Sequence, residues 1–424
     1  MKNDKLIKML KLKFLTYLLL LPISTFSQGG SLFHTINVPI DYTKPNMGTT
    51  TISYELGAEF SKNKPTVFII ADAQQFYIRK GAVAGLQTTL LDLTFNVVGV
   101  IGRNNNQDLK ELVTDNLGKV NWEKAHDIYS WQQYVNDINE VRKKVVGESG
   151  HIFLYGQSGG GFLVHQFLSI FGQYVDKAFT GAAVNYFLDA ELGINHDKFW
   201  EEAIEQNPAF ITKFKDLTTK NQIDRDLIAM LFQRQHFFVD SLKTEREHLL
   251  NTLLANDTIA INQYKDKYQI TAIQRFYASD DGIPIRVRLF EFIYPLLRNF
   301  QIDTNKLQPD KENLYFSAVP LIESYNNNLI KPQGMSFLPL HKLGTEVFIL
   351  SGRYDHTADY RSQIALASSY PSHYVLIADD NHTFNNLKND GMYQKLILSF
   401  FKTQTISAMG EIIENEFSNY QWKE

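Results

Sequence analysis

Short apolar runs bounded by turn-forming residues recur along the chain, and they predict β-strands. In the first part of the chain these strands are expected at 33–40, 50–56, 66–70 and 95–101. The last two lack polar alternation, which is typical of strands buried on both faces of a largely parallel sheet. Further strands are predicted at 151–155, 178–184, 346–350 and 374–377.

Between the strands, the apolar residues change to helical spacing. The segment 131–146 places Tyr134, Ile138, Val141 and Val145 on one face, as expected for an amphipathic helix. Other helices are predicted at 81–93, 159–172 and 392–402. This alternation of strands and helices predicts an α/β fold, with a mostly parallel sheet flanked by helices.

The stretch between the strands at 178–184 and 346–350 has a different character. It is richer in charge, has no convincing buried strand, and shows helical spacing at 199–205, 224–238 and 242–254. Because strands of one sheet flank it, we interpret residues 187–335 as a helical lid inserted into a core of 28–186 and 336–424. A separate helical domain without a catalytic role is the alternative.

The N-terminus has the pattern of an export signal. Five lysines up to Lys13 precede an apolar run at 14–23, which predicts a signal peptide at residues 1–27 with cleavage near Ser27. The run is shorter than the roughly 20 residues that span a bilayer, which disfavours an uncleaved anchor. We therefore expect a periplasmic or secreted protein with no stable membrane insertion after signal removal.

Composition narrows the function classes further. Of the 424 residues, 44% are hydrophobic and 13% aromatic, as in ordinary globular proteins. A net charge of -4 without any basic stripe argues against a nucleic-acid partner. The chain has no cysteine, which excludes disulfides, thiolate metal ligands and a cysteine nucleophile. No metal or organic cofactor is expected.

The most informative motif is a glycine-rich turn around Ser158. A predicted strand runs into Gly156-Gln157-Ser158-Gly159-Gly160, and a predicted helix begins at once. Such a sharp turn lifts a serine hydroxyl above the edge of a sheet, and glycines on either side relieve the crowding. Although Gly-x-Ser-x-Gly alone also occurs in structural turns, the strand before it and the helix after it favour a nucleophile. The amide of Gly159, at the helix N-terminus, is a candidate oxyanion donor.

A serine nucleophile needs a base and an orienting acid, which follow it in the order acid, then histidine, on this kind of fold. Asp355 follows the predicted strand at 346–350, and His382 follows the next strand at 374–377. Because the carboxyl ends of parallel strands meet at one edge of a sheet, we predict a catalytic triad of Ser158, His382 and Asp355. Asp359, Asp379 and Asp380 are alternatives for the acid.

At these positions the sequence resembles the α/β-hydrolase superfamily, and more narrowly its proline iminopeptidase and tripeptidyl aminopeptidase branch. The segments that carry the resemblance are 38–45, 131–142, 352–355 and the pair Asn381-His382. The resemblance covers about 33–186 and 340–403 and implies an α/β-hydrolase fold with an eight-stranded type of sheet. It also implies an aminopeptidase that acts on short peptides and uses lid acids to hold the free amino terminus. Candidates for such acids are Glu201, Glu202, Glu205 and the pair Asp280 and Asp281, but charged helices are more often simply solvated, so none is assigned this role.

One loop departs from the pattern of that branch. Where a His-Gly-Gly-Pro-Gly-like loop is usual, this chain has Ala71-Asp-Ala-Gln-Gln75, which contains no glycine. We expect Ala73 to supply the second oxyanion amide beside Gly159; the N–H of Asp72 and the side-chain amide of Gln74 are alternatives. A carboxylate at Asp72 would oppose an oxyanion unless it points away.

The predicted function is therefore hydrolysis of an ester or amide bond through an acyl-enzyme, with a small molecule or short peptide as substrate. Aromatic residues in the lid, such as Phe199, Trp200, Phe237 and Phe238, suit an apolar acyl pocket equally well. An exported carboxylesterase is therefore an alternative. A non-catalytic binding protein on a hydrolase scaffold is another, because a fold alone does not determine function.

Overall fold

The computed structural model describes residues 32–422 except 76, 105, 221–222, 239–241, 279–281 and 299. The predicted signal peptide at 1–27 lies outside the described residues. In the part of the chain that is described, no helix is long and apolar enough to cross a membrane.

Eight strands form a single mixed sheet. The strands are β1 (Phe33–Pro39), β2 (Thr49–Leu56), β3 (Thr66–Ile70), β4 (Asn96–Gly102), β5 (Ile152–Gln157), β6 (Val175–Gly181), β7 (Glu346–Gly352) and β8 (His373–Ala378). Their order is β1-β2-β4-β3-β5-β6-β7-β8. The β1/β2 and β2/β4 pairs are antiparallel, and β4, β3, β5, β6, β7 and β8 pair in parallel. This mostly parallel sheet, flanked by helices, is the α/β-hydrolase fold that the sequence predicts.

Helices connect and cover the strands. In the core they are α1 (Val83–Leu90), α2 (Gln107–Val113), α3 (Trp122–Tyr129), α4 (Trp131–Val146), α5 (Gly159–Phe171), α15 (Tyr360–Ala367), α16 (Asn385–Asn389), α17 (Met392–Lys402) and α18 (Met409–Ile412). Between β6 and β7 they are α6 (Tyr186–Leu192), α7 (Phe199–Gln206), α8 (Phe210–Lys220), α9 (Arg225–Phe238), α10 (Leu242–Leu254), α11 (Thr258–Lys267), α12 (Ile270–Ala278), α13 (Gly282–Ile293) and α14 (Pro309–Asn326). Short 3₁₀ turns lie at Pro45–Met47, Gly172–Tyr174, Tyr294–Leu296, Leu338–Lys342 and Ile406–Ala408, and a π-helical turn at Ile413–Phe417. The described residues between β6 and β7 contain no strand; the boundaries of the lid stay a prediction.

One predicted strand lies in a different place. The sequence predicts a strand at 178–184, whereas β6 is Val175–Gly181. The chain turns at Ala182, which has a φ of 47°, and the three residues after β6 stay buried beside the nucleophile turn. Because these apolar residues are buried in a turn, hydrophobicity alone does not mark where the strand ends.

The sheet carries a hydrophobic core on each face, and the lid has a third. On one face, Phe68 and Leu154 pack with helices α4 and α5; on the other, Tyr155 and Phe348 pack with α1 and α17. The lid core is formed by α7 to α12 around residues such as Leu231. By contrast, α6, α13 and α14 pack into the first core, which places these helices in direct contact with the sheet domain.

Candidate active site

Ser158 occupies a strained turn at the end of β5. Its backbone has a φ of 56° and a ψ of -127°, a conformation that is costly for a residue with a side chain. The amide of Ser158 donates to the carbonyl of Gly181 at 2.8 Å, which holds the turn against β6. Helix α5 begins at the next residue, so the side chain of Ser158 lies at the carboxyl edge of the sheet.

The glycines on both sides of Ser158 are needed because the backbone is closely packed. A Cβ at Gly156 would lie 2.4 Å from the carbonyl oxygen of Gly160. A Cβ at Gly160 would lie 2.5 Å from the carbonyl oxygen of Ile70 in β3. The sequence pattern therefore reflects a steric requirement of the turn.

Two glycine-to-alanine substitutions, one in the turn and one at an exposed position, test this requirement. We expect Gly156→Ala to lower the free energy of unfolding by about 1–3 kcal/mol, because backbone atoms that cannot rotate away must shift to admit the methyl group. Gly344→Ala is the control, since Gly344 is exposed and has nothing within 4 Å of its Cβ position. Urea denaturation monitored by circular dichroism measures both variants. Equal stability of the two variants would contradict the packing argument.

The three predicted triad side chains lie together. His382 Nε2 is 2.9 Å from Ser158 Oγ, and His382 Nδ1 is 2.8 Å from Asp355 Oδ2. The other carboxylate oxygen of Asp355 accepts hydrogen bonds from the amides of Thr357 at 2.8 Å and Ala358 at 2.9 Å. These amides fix the orientation of the carboxylate, so that its second oxygen faces the imidazole. Asp355 and His382 are buried, and Ser158 is partly exposed.

The three alternative acids have other partners. Asp359 accepts from the amide of Arg361 at the start of α15 and pairs with its guanidinium at 2.8 Å. Asp380 accepts from the amides of Asn381 and Leu387. Asp379 lies 3.5 Å from Arg353. Among the four aspartates, Asp355 is therefore the one that the structure places at the imidazole.

The lid covers the imidazole of His382. Phe237, at the end of α9, packs its ring against His382 at a centroid distance of 4.6 Å. The carbonyl of Phe237 accepts hydrogen bonds from Thr383 Oγ1 at 3.1 Å and Asn385 Nδ2 at 3.3 Å. These contacts join the lid to the loop that carries His382, and they place an aromatic wall beside the reactive groups.

The glycine-free loop after β3 is tied to the nucleophile turn through Gln75. Gln75 Oε1 accepts from the amides of Asp72 at 2.9 Å and Gly160 at 3.1 Å, and its Nε2 donates to the carbonyl of Gln157 at 2.8 Å. The N–H of Asp72 therefore already donates to Gln75 and is not available as an oxyanion donor. Ala73 is buried in the same loop, and its role as a donor stays a prediction.

The candidate lid acids that the structure describes are either exposed or already paired. Glu201 and Glu205 are exposed, and Asp280 and Asp281 lie outside the described residues. Glu202 pairs with Arg246 at 3.4 Å and with His356 at 3.2 Å.

Among the described residues, no group of three or more His, Asp or Glu side chains is arranged to hold a metal ion.

Two buried acids that the sequence did not single out lie next to the triad. Asp310, in α14, accepts from Thr357 Oγ1 at 2.7 Å, and Thr357 is two residues from Asp355. Asp197 accepts from the amides of Asp310 and Lys311. Burial and the charge of Asp310 raise the pKa of Asp197 well above its ordinary value. Sequence patterns could not reveal this pair, because its members lie on separate lid segments.

Comparison with known proteins gives similarity in fold only. No family model matches the chain, and neither does any curated protein. Similar solved structures include a bromoperoxidase from Bacillus anthracis (14% identity, TM-score 0.42, covering 87% of this chain and 100% of that chain). A homoserine O-acetyltransferase from Staphylococcus aureus is 13% identical, with a TM-score of 0.44, over 88% of this chain and 95% of that one. An acetylester hydrolase from Corynebacterium glutamicum is 12% identical, with a TM-score of 0.39, over 91% of this chain and 96% of that one. Likenesses this weak carry no argument about activity, which rests on the side chains of the site.

Proposed function

We propose that the protein is an exported serine hydrolase that cleaves an ester or amide bond through an acyl-enzyme at Ser158. The observation that carries this proposal is the continuous contact from Ser158 Oγ through His382 to Asp355, with distances of 2.9 and 2.8 Å. Export is supported by the lysine-rich start and the apolar run before Ser27.

In the acylation step, His382 Nε2 takes the proton of Ser158 as Oγ attacks the substrate carbonyl. The carbonyl π bond breaks and its electrons go to the oxygen, which the amide of Gly159, and in our proposal that of Ala73, stabilises. The intermediate collapses, and the amine or alcohol leaving group departs with the proton from His382. Asp355 holds the imidazole in the required tautomer and stabilises its cation.

In the second half, a water molecule attacks the acyl-enzyme and gives one proton to His382. Collapse of this intermediate breaks the bond between Ser158 Oγ and the acyl carbon, and the proton returns to Oγ. A carboxylic acid is released and the free enzyme is regenerated. These steps use only groups of this chain and water.

For the substrate, we propose short peptides with a free amino terminus. Asp197 Oδ1 and Asp310 Oδ2 are buried and have no hydrogen-bond partner among the described residues, and the same holds for the Tyr186 hydroxyl. Buried polar atoms without partners are costly, and a substrate ammonium group would supply donors and a positive charge that favours the ionised form of these acids. The second candidate is a carboxylesterase, which the apolar surface of Phe237 beside His382 favours.

A substrate screen on the purified protein tests both candidates. For the aminopeptidase, we expect cleavage of aminoacyl or peptidyl anilides and a loss of at least about tenfold in kcat/KM when the amino group is acetylated, since an ion pair is removed. Asp310→Asn should raise KM for free-amine substrates while leaving aryl ester hydrolysis nearly unchanged. Glu205→Gln, which changes an exposed lid acid, is the matched control and should alter neither.

Each other outcome is informative. Equal cleavage of free and acetylated anilides would overturn recognition of a free amino terminus, and cleavage of aryl esters alone would overturn the aminopeptidase in favour of the esterase. Activity that persists in Ser158→Ala would overturn the assignment of the nucleophile. Absence of all hydrolysis would favour the binding-protein alternative.

A further inference from the structure

A buried arginine from the lid contacts the loop that faces the nucleophile turn. Arg288, in α13, is fully buried, and its Nη2 and Nε donate to Asp72 Oδ2 at 2.8 and 3.0 Å. Its Nη2 also donates to Gln166 Oε1 in α5 at 3.1 Å, and its Nη1 to Glu291. Arg288 therefore joins the lid, the loop after β3 and the nucleophile helix.

The position of Asp72 makes this ion pair chemically important. Its Oδ2 lies 3.1 Å from where a Cβ on Gly159 would be, so the carboxylate is next to the residue whose amide faces the developing oxyanion. A free carboxylate there would raise the energy of a negatively charged transition state. The bidentate contact with Arg288 compensates this charge and fixes the direction of the carboxylate.

The charge of Arg288 is secured by its neighbours. Burial lowers the pKa of the Arg288 guanidinium, but attraction to the carboxylates of Asp72 and Glu291 has the larger effect. The pKa of Arg288 is therefore raised above its ordinary value. Burial raises the pKa of the Glu291 carboxyl to about 7. Glu291 also accepts from the amide of Trp131 at 3.0 Å. Of these two acids, Asp72 makes the larger electrostatic contribution to the charge of Arg288.

The same loop brings a neutral donor to Gly159. Gln74 Nε2 lies 2.2 Å from the Cβ position of Gly159, which means that the carboxamide rests directly on the Cα of that glycine. No hydrogen bond joins the Gln74 side chain to another described residue, and the side chain is partly exposed. Its N–H groups are therefore available to a substrate oxygen at Ser158.

We propose that the Gln74 carboxamide is a further catalytic donor to the oxyanion, beside the amides of Gly159 and Ala73, and that Arg288 from the lid is a positioning residue: by pairing with Asp72 it holds the loop that presents Gln74. The inference rests on the proposed function. It explains how a loop without glycine, with a carboxylate at its centre, supports a negatively charged intermediate.

Kinetics of four variants test the proposal. Gln74→Ala and Arg288→Met should each lower kcat by about 10²–10³ with little change in KM, because the lost interaction forms only in the transition state. Phenylboronic acid, which forms a tetrahedral adduct with a reactive serine, should lose affinity in the same proportion. Adding Asp72→Asn to Arg288→Met should raise kcat at least about tenfold above that of Arg288→Met alone, because it removes the unpaired carboxylate.

Arg286→Met is the matched control, because Arg286 lies on the same helix but donates to the carbonyl of Ser317 at 2.8 Å. It should leave kcat and boronic acid affinity nearly unchanged. The proposal is overturned if Gln74→Ala retains full kcat, or if Asp72→Asn gives no recovery. Should Arg288→Met fail to fold, Gln74→Ala decides alone. Wild-type activity that depends on Ser158 but not on Gln74 would refute this inference and leave the proposed function intact.

Discussion

Replacing Ser158 with alanine is expected to lower kcat by about 10⁴–10⁶, the largest effect of any single substitution in the site. The reason is that Ser158 Oγ is the atom that forms the acyl bond, and it lies 2.9 Å from the imidazole that takes its proton. Binding of substrate should change little, because the substitution removes one partly exposed oxygen. Steady-state hydrolysis of an aryl ester and of an aminoacyl anilide measures the effect.

Two controls separate chemistry from folding in this experiment. Ser368→Ala, which removes an exposed hydroxyl that donates to the carbonyl of Ala365, should leave kcat unchanged. The thermal midpoint of Ser158→Ala should equal or exceed that of the wild type, since the strained turn keeps its geometry without the hydroxyl. Residual activity above a few per cent of wild type would show that another group is the nucleophile.

The second largest effect is expected for Asp355→Asn, with a fall in kcat of about 10⁴. The amides of Thr357 and Ala358 bind one oxygen of Asp355, so the asparagine carbonyl will take that place and its NH₂ will face His382. An NH₂ group donates to Nδ1 and selects the tautomer in which Nε2 carries the proton. Nε2 then cannot accept the proton of Ser158.

Asp379→Asn is the matched control for this change. Asp379 lies in the loop that leads to His382 but pairs with Arg353 at 3.5 Å, so its loss should leave kcat within about twofold of wild type, as for most surface substitutions. A similar loss in both variants would indicate that the loop is merely sensitive to substitution. Full activity of Asp355→Asn would contradict its role in orienting the imidazole.

Much of the fold was predictable because local sequence and burial agree. The helices at 131–146, 242–254 and 392–402 begin and end where the spacing of their apolar residues predicts. The strand predicted at 178–184 lies at Val175–Gly181 instead, because the apolar residues after β6 are buried in a turn beside Ser158 and not in the sheet. An apolar run indicates that residues are buried, but the end of a strand depends on where its hydrogen bonds to the neighbouring strands end.

The candidate site was predictable in part for a similar reason. Ser158, Asp355 and His382 each follow a strand, so the order of strands brings them together. Arg288 follows no such rule, because it meets Asp72 across 216 positions of the chain. Its one sequence signal is the presence of three charged residues, Arg286, Arg288 and Glu291, in a helix that is mostly apolar, since charges buried in such a helix need partners.

The most direct test of the proposed nucleophile is the reaction of the folded wild-type protein with a fluorophosphonate probe, followed by mass spectrometry of the labelled peptide. We expect one adduct, on Ser158, and its absence in Ser158→Ala. An adduct that persists in Ser158→Ala would refute the serine hydrolase proposed here, as would a folded wild-type protein that takes up no probe and hydrolyses neither aryl esters nor aminoacyl anilides.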